Sequence, residues 1–216
     1  MKKVSLIYIA ENNFENALLF FKKLNVKKIE KQSMFIDKDI PKEYINKVDS
    51  VEVDLIVIDA TKDEKTKEYF KDIADSIVTV RDLDSIHLID FINNCCTNDM
   101  ICIVPTGYFY SANWLFELQY FYDSIIKSGA IGVVNKFEDG VICPLLTNED
   151  TLEYCIIPSD NTIRGLCYFN KTLLHDYSPH YQLSSSIFDD VSYMMRKLGY
   201  NNYYIPSEVC INAQVF

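Results

Sequence analysis

The stretch from Asp99 to Leu118 (DMICIVPTGYFYSANWLFEL) constrains the fold more than any other. Met100 to Val104 is apolar at consecutive positions, as a strand covered on both faces reads, and Pro105-Thr106-Gly107 ends it in a turn. An amphipathic helix then enters near Ser111 and Asn113. A strand that stops in mid-domain and hands over to a helix belongs to an open α/β sheet, whose ligands sit at the carboxyl edge. Chemistry is therefore expected at this turn, yet the turn holds no carboxylate, no histidine and no run of glycines.

The rest of the chain repeats the pattern. Val4 to Ile9 and Val53 to Asp59 are further buried strands, and Ser76 to Val80 is a third. Between them lie helical stripes: Phe14, Ala17, Leu18, Phe21 and Leu24; Tyr69, Phe70 and Ile73 in a helix following Lys62; and a helix from Ile86 to Cys96. Alternating strands and helices imply βαβ crossovers and a mostly parallel sheet. The second half changes character. A helix from Trp114 to Lys127 leads to a strand at Ala130–Val134. Gly140–Leu146, Leu152–Ile157 and Thr162–Phe169 read as antiparallel additions. A helix over Asp189–Leu198, ended by Gly199, precedes a last strand, Tyr203–Ile211, interrupted by Pro206. Within residues 25–52, VKKIEKQSMFID accommodates a strand and Pro41 suits a first helical position. The expectation is one α/β domain, a three-layer αβα sandwich, with antiparallel strands in its C-terminal half.

Composition excludes several functions. The net charge is −10, and no basic run exceeds two residues, which argues against nucleic acid because phosphate neutralisation needs clustered Lys and Arg. Of the seven cysteines, none forms a CxxC pair, so neither a zinc ribbon nor a redox motif is indicated. An odd number in apolar runs suggests reduced, buried thiols and a cytoplasmic location. The apolar run after Lys2-Lys3 is too short for a signal peptide, and no window reaches the roughly 18 apolar residues of a membrane span. His87, His175 and His180 share no metal-ligand spacing.

In their order and local words, these elements resemble the family 2 glycosyltransferases with their GT-A fold, across nearly the whole chain. SLIYIAEN resembles the first strand and its Thr-Tyr-Asn-like turn, with Asn12 at the Asn. LIVIDATKDEKT places Asp59 at the family's nucleobase-binding Asp. NDMICIVPTGYFYSANWL reproduces the strand, metal-motif and helix-entry frame through Trp114 and Leu115. TIRGLCYFNKTLL, with Gly165, resembles the acceptor-side strand. FDDVSYMMRKLGY resembles the acidic pair, Arg and Gly-Tyr of the catalytic helix, although its interval to Gly199-Tyr200 is about two residues shorter than the family's. YYIPSEVCIN resembles the closing strand.

The resemblance implies transfer of a sugar from a nucleotide-sugar to an acceptor hydroxyl. Residues 1–107 would form a nucleotide-binding half and 108–216 an acceptor-side half. Ala10, Glu11, Asp59, Arg81, Thr106 and Gly107 would hold the donor, Trp114 and Gly165 would lie on the acceptor side, and Asp189 or Asp190 would be the general base. It also exposes a departure. The family's Asp-x-Asp binds a divalent cation, which takes carboxylate oxygens. In frame, those positions are Pro105 and Gly107, and Asn212 stands where the closing strand delivers a histidine. No cofactor is therefore expected, and the chain would be metal-independent, impaired, or a non-catalytic binding protein for a partner, a glycan or its own copies.

Plainer readings stand beside these. Asp59 also suits a turn or a helix cap near Lys62, and Asp189 or Asp190 an N-terminal helix position. Arg81 and Arg164 suit ion pairs as well as a diphosphate, and Trp114 suits the core. The aromatics Tyr108 to Tyr110 would plug the vacated pocket, meet a partner or stack on a ring.

Overall fold

A computed structural model describes residues 2–11, 15, 17–18, 28–30, 50–61, 63–81, 88–105, 108–110, 115, 118–119, 122–123, 126–133, 166–174, 187–205 and 210–212. The strands are β1 (Lys2–Ala10), β2 (Lys28–Glu30), β3 (Ser50–Asp59), β4 (Ser76–Thr79), β5 (Met100–Pro105), β6 (Tyr108–Tyr110), β7 (Ser128–Val133), β8 (Cys167–Asn170), β9 (Asn201–Ile205) and β10 (Cys210–Asn212). The helices are α1 (Glu64–Ile73), α2 (Leu88–Cys95) and α3 (Ile187–Lys197), and a 3-10 turn spans Lys171–Leu174.

The main sheet has eight strands in the order β2-β3-β1-β5-β8-β7-β9, with β4 also pairing with β3. β1 runs parallel to β3 and β5, β3 to β4, and β7 to β9. β8 is antiparallel to both of its neighbours, so β7 and β9 point the same way as β1. β2 pairs antiparallel with the amino half of β3, which places an antiparallel strand in the N-terminal half as well. The fold is a mixed, mostly parallel α/β sandwich, as the alternation in the sequence implies.

Strand parity explains the apolar runs. Val4, Leu6, Tyr8 and Ala10 face one layer with Val53, Leu55, Val57 and Phe70 of α1, and with Leu115 and Leu118. Ile7 and Ile9 face the other with Ile56, Ile58, Phe91 and Ile92 of α2, and Val191, Met194 and Met195 of α3. A strand buried on both faces needs apolar residues at consecutive positions, not alternate ones. Tyr168 is buried at the centre, its hydroxyl donating to Gln119 Oε1 and its ring edge-on to Tyr122 at 5.8 Å.

Several boundaries differ from expectation for local physical reasons. The helix after β3 begins at Glu64, not Lys62, because Asp63 caps it: its side chain accepts from Lys65 N at 3.2 Å and from Thr66 Oγ1 at 2.8 Å. The expected helix to Lys127 gives way to a turn at Ile126 and Lys127, where Lys127 adopts φ 57°. β7 accordingly starts at Ser128. α2 ends at Cys95, one residue before the expected Cys96, with Ile86 and His87 outside the described residues, and α3 includes Ile187, two residues before Asp189. β8 contributes Cys167–Asn170, while 151–165 lie outside the described residues, as do Gly140–Leu146 and Leu152–Ile157. Within 25–52, the expected strand is represented by β2. The expected Tyr203–Ile211 strand falls on β9 and β10, which belong to two different sheets; Pro206 and the residues to 209 between them lie outside the described residues.

α3 is fixed at its C-terminal end. Gly199, at φ 82°, donates to Arg196 O at 3.0 Å, and Tyr200 N donates to Met195 O at 3.0 Å, a Schellman ending that requires the left-handed conformation. Alongside it, the β7–β9 register slips between Ser128 and Ile131. Asn202 fills the gap: its Oδ1 accepts from Ala130 N at 3.0 Å, and its Nδ2 donates to Ser192 O at 2.8 Å. Strand, bulge and helix are thereby tied together.

Candidate functional site

Because β1, β3, β4, β5, β7 and β9 run the same way, their carboxyl ends form one edge. Ala10 and Glu11 close β1, Asp59 closes β3, Thr79 closes β4 with Arg81 two residues on, and Pro105 closes β5. α3 reaches this edge too. Its C-terminus feeds β9, whose first residue, Asn201, pairs with Ser128 at the amino end of β7. Running back over its 11 residues, about 16 Å of helix, places its first turn, with Asp189 and Asp190, at the carboxyl edge. The topology thus gathers Ala10, Glu11, Asp59, Arg81, Asp189 and Asp190. Thr106, Gly107, Trp114, Arg164 and Gly165 lie outside the described residues, as do the three histidines.

Asp59 is the best-defined side chain of this edge. It is 2% exposed and the only carboxylate buried among the described residues. In register it lies between Ala10 and Thr79. Its Oδ1 accepts from Thr61 N at 2.9 Å and from Thr61 Oγ1 at 2.8 Å, and its Oδ2 accepts from Thr79 Oγ1 at 3.4 Å. An Asp whose side chain meets the backbone N–H two residues on is an Asx turn. The ladder continues past it, with Ala60 N donating to Ala10 O at 3.0 Å and Val80 N to Asp59 O at 2.9 Å. Asp59 is therefore a turn residue, and the helix cap is Asp63. Thr66 beside it, donating its hydroxyl, holds the Asp63 carboxyl below its ordinary range.

Thr61, Thr79 and Asp63 were not among the residues marked by sequence reasoning. The Asp-x-Thr spacing in IDATKD carries the signal, since an Asx turn needs an N–H two residues on. Arg81 is exposed and makes no ion pair among the described residues, so the ion-pair reading is not met for it.

The YFY segment is a strand, not a loop. β6 pairs antiparallel with β10, matching Cys210 with Tyr110, Ile211 with Phe109 and Asn212 with Tyr108. Asn212 is thereby held opposite a residue three positions beyond Pro105, a pairing that brings backbones within roughly 5 Å. Cys95, Cys96, Cys102 and Cys167 are free, and burial pushes the thiol of Cys96 up to about 12 and those of Cys102 and Cys167 well above their usual range.

No protein-family model and no curated protein matches this chain. Solved structures do. A mannosyltransferase from Pyrobaculum calidifontis in complex with GDP-Man and Mn2+ matches with a TM-score of 0.60 at 16% identity, over 97% of this chain and 56% of its own. TarS from S. aureus in complex with UDP-GlcNAc gives a TM-score of 0.55 at 13% identity, over 98% of this chain and 58% of its own. The chain therefore spans less than two thirds of either protein. At such identities the likeness shows the fold, which is GT-A-like.

Proposed function

We propose that this domain binds a nucleotide-sugar at the carboxyl edge of its sheet without a divalent metal, and that it transfers the sugar to an acceptor hydroxyl slowly. The observation that carries this reading is the convergence, on one edge of a GT-A-like sheet, of a buried carboxylate on β3 and the acidic first turn of α3. Sugar-nucleotide complexes of the mannosyltransferase and of TarS support the donor class. Asp59 with Ala10 and Glu11 would meet the base. Asp189 or Asp190 would take the acceptor proton as the new glycosidic bond forms and the bond to the leaving diphosphate breaks.

The metal part of the reading rests on donor chemistry. Divalent cations take carboxylate oxygens, and Mn2+ also takes imidazole. The β6–β10 pairing sets Asn212 opposite Tyr108, three positions beyond Pro105. Pro105 offers no side-chain oxygen, Gly107 has no side chain, and Asn212 contributes at most a neutral amide. This set does not fit the cation. Charge on the leaving diphosphate would fall to Arg81, the N-terminus of α3 and backbone amides, which is why slow turnover is proposed. A second reading, binding without turnover, draws on the same three positions.

Isothermal titration with nucleoside diphosphates, in EDTA and in Mn2+, tests this. Equal affinity in both, with sugar release that Asp189→Ala or Asp190→Ala abolishes, supports the enzyme. Binding without release supports the second reading. A Mn2+-dependent gain of ten-fold or more refutes metal independence.

A further inference from the structure

The two oxygens of Asp59 are in different states. Oδ1 accepts both the backbone N–H and the hydroxyl of Thr61, which uses both of its lone pairs. Among the described residues, Oδ2 meets only Thr79 Oγ1, at 3.4 Å, the long limit of a hydrogen bond. A buried carboxylate oxygen with an open lone pair is costly unless a donor reaches it. One oxygen is closed by the protein itself; the other keeps a spare acceptor position beside the exposed Thr79, which ends β4 at the sheet edge.

We propose that Thr61 makes Asp59 a reader of a single donor, so that the site selects a uracil-type base and rejects guanine; the inference rests on the carboxyl edge being the nucleotide site. Guanine presents two donors side by side, N1–H and the N2 amino group, and a carboxylate satisfies them only with both oxygens. With Oδ1 closed, one guanine donor would be buried without a partner, a penalty worth roughly ten-fold or more in affinity. Uracil presents one donor, N3–H, flanked by two carbonyl acceptors. N3–H fits Oδ2, and the Thr79 hydroxyl is placed to turn from its long contact toward a flanking carbonyl.

Asp59→Asn tests the geometry because Thr61 fixes the amide. The Thr61 N–H can only donate, so the Asn oxygen takes the Oδ1 place and the NH2 group the Oδ2 place. An acceptor becomes a donor. It no longer suits N3–H of uracil and suits the bare N3 of cytosine.

Isothermal titration of the whole chain with UDP, GDP and CDP reads this out. For the unmodified protein, UDP is expected to bind at least ten-fold tighter than GDP, a measurement that needs no variant. In Asp59→Asn, CDP is expected to overtake UDP. Thr61→Ala, which reopens half of Oδ1, is expected to narrow the UDP-to-GDP ratio. GDP binding as tightly as UDP overturns the inference and leaves the nucleotide site standing. So does an Asp59→Asn variant that stays folded and weakens all three alike, since Asp59 would then only hold the turn. Binding of none of the three overturns the nucleotide site as well.

Discussion

Asn202→Ala removes a side chain that is 4% exposed and ties three elements together. Two hydrogen bonds are lost. The Ala130 N–H sits in the bulge and has the amide oxygen as its partner at 3.0 Å, so it is left buried without one. Such an orphan costs about 1–3 kcal/mol. The Ser192 carbonyl loses its 2.8 Å bond but keeps its helical partner, a loss of about 0.5–1.5 kcal/mol. The sum is about 1.5–4.5 kcal/mol, or roughly 3–18 °C in Tm for a chain of this size. Urea denaturation followed by far-UV circular dichroism, with an unchanged m-value, measures it. Asn201→Ala, at the exposed neighbour, is the control and should stay within about 0.5 kcal/mol. Gly129→Ala probes the same knot from the other side. A Cβ there would lie 2.9 Å from Asn202 Oδ1 and from Met195 Cβ, and 3.0 Å from Tyr200 Cβ. Two of those atoms are fixed to backbone, so overpacking should cost about 1–3 kcal/mol. The double variant relieves one of the three contacts and should be less than additive. Asn202→Ala within about 0.5 kcal/mol of the parent would refute the argument that the amide holds the bulge.

Three further outcomes are expected. Asp63→Ala should lower Tm at pH 7 by removing the cap of α1. Because the folded Asp63 carboxyl titrates below its unfolded value, its contribution is present above the ordinary carboxylate range and fades as pH falls, so the gap between parent and variant should close in acid. Lys127→Gly should raise stability by about 0.5–1 kcal/mol, since the left-handed conformation at φ 57° penalises a side chain and suits glycine; a loss of stability would show that the lysine side chain matters. In alkali the buried Cys96 thiol, raised to about 12, stays protonated in the folded chain while the unfolded thiol ionises near 9. Its stabilising contribution is therefore intact below pH 9 and lost as pH rises toward 12, at about 1.4 kcal/mol per unit. Cys96→Ser should flatten that slope.

Much of the sheet was legible because burial on both faces leaves consecutive apolar residues, as Leu6 to Ile9 and Leu55 to Ile58 do. Gly199 was legible as a helix end because a left-handed residue is needed there. The β7 bulge was not. Its determinants, Gly129 and Asn202, are 73 residues apart in the chain, and neither breaks the local pattern. At the site, Asp59 was legible as a strand-end carboxylate, but its partner was overlooked because Thr61 looks like any turn residue.

The C-terminal strand shows the limit most clearly. Tyr203 to Ile211 has the composition of one strand, and β-propensity has no means of telling which sheet a segment joins. The described ladder with β7 runs to Ile205, and Cys210–Asn212 pairs with β6 instead. That redirection sets Asn212 opposite Tyr108. The break also explains why two positions about a hundred residues apart bear on the same site. A substitution that restores N–H donation, Pro206→Ala, should leave the β7–β9 pairing intact and loosen the separate β6–β10 pair, which has only three matched residues and little stability of its own. Amide exchange should then rise at Phe109 and Ile211 and stay unchanged at Tyr203. Equal protection at all three positions would refute a role for Pro206 in holding β10.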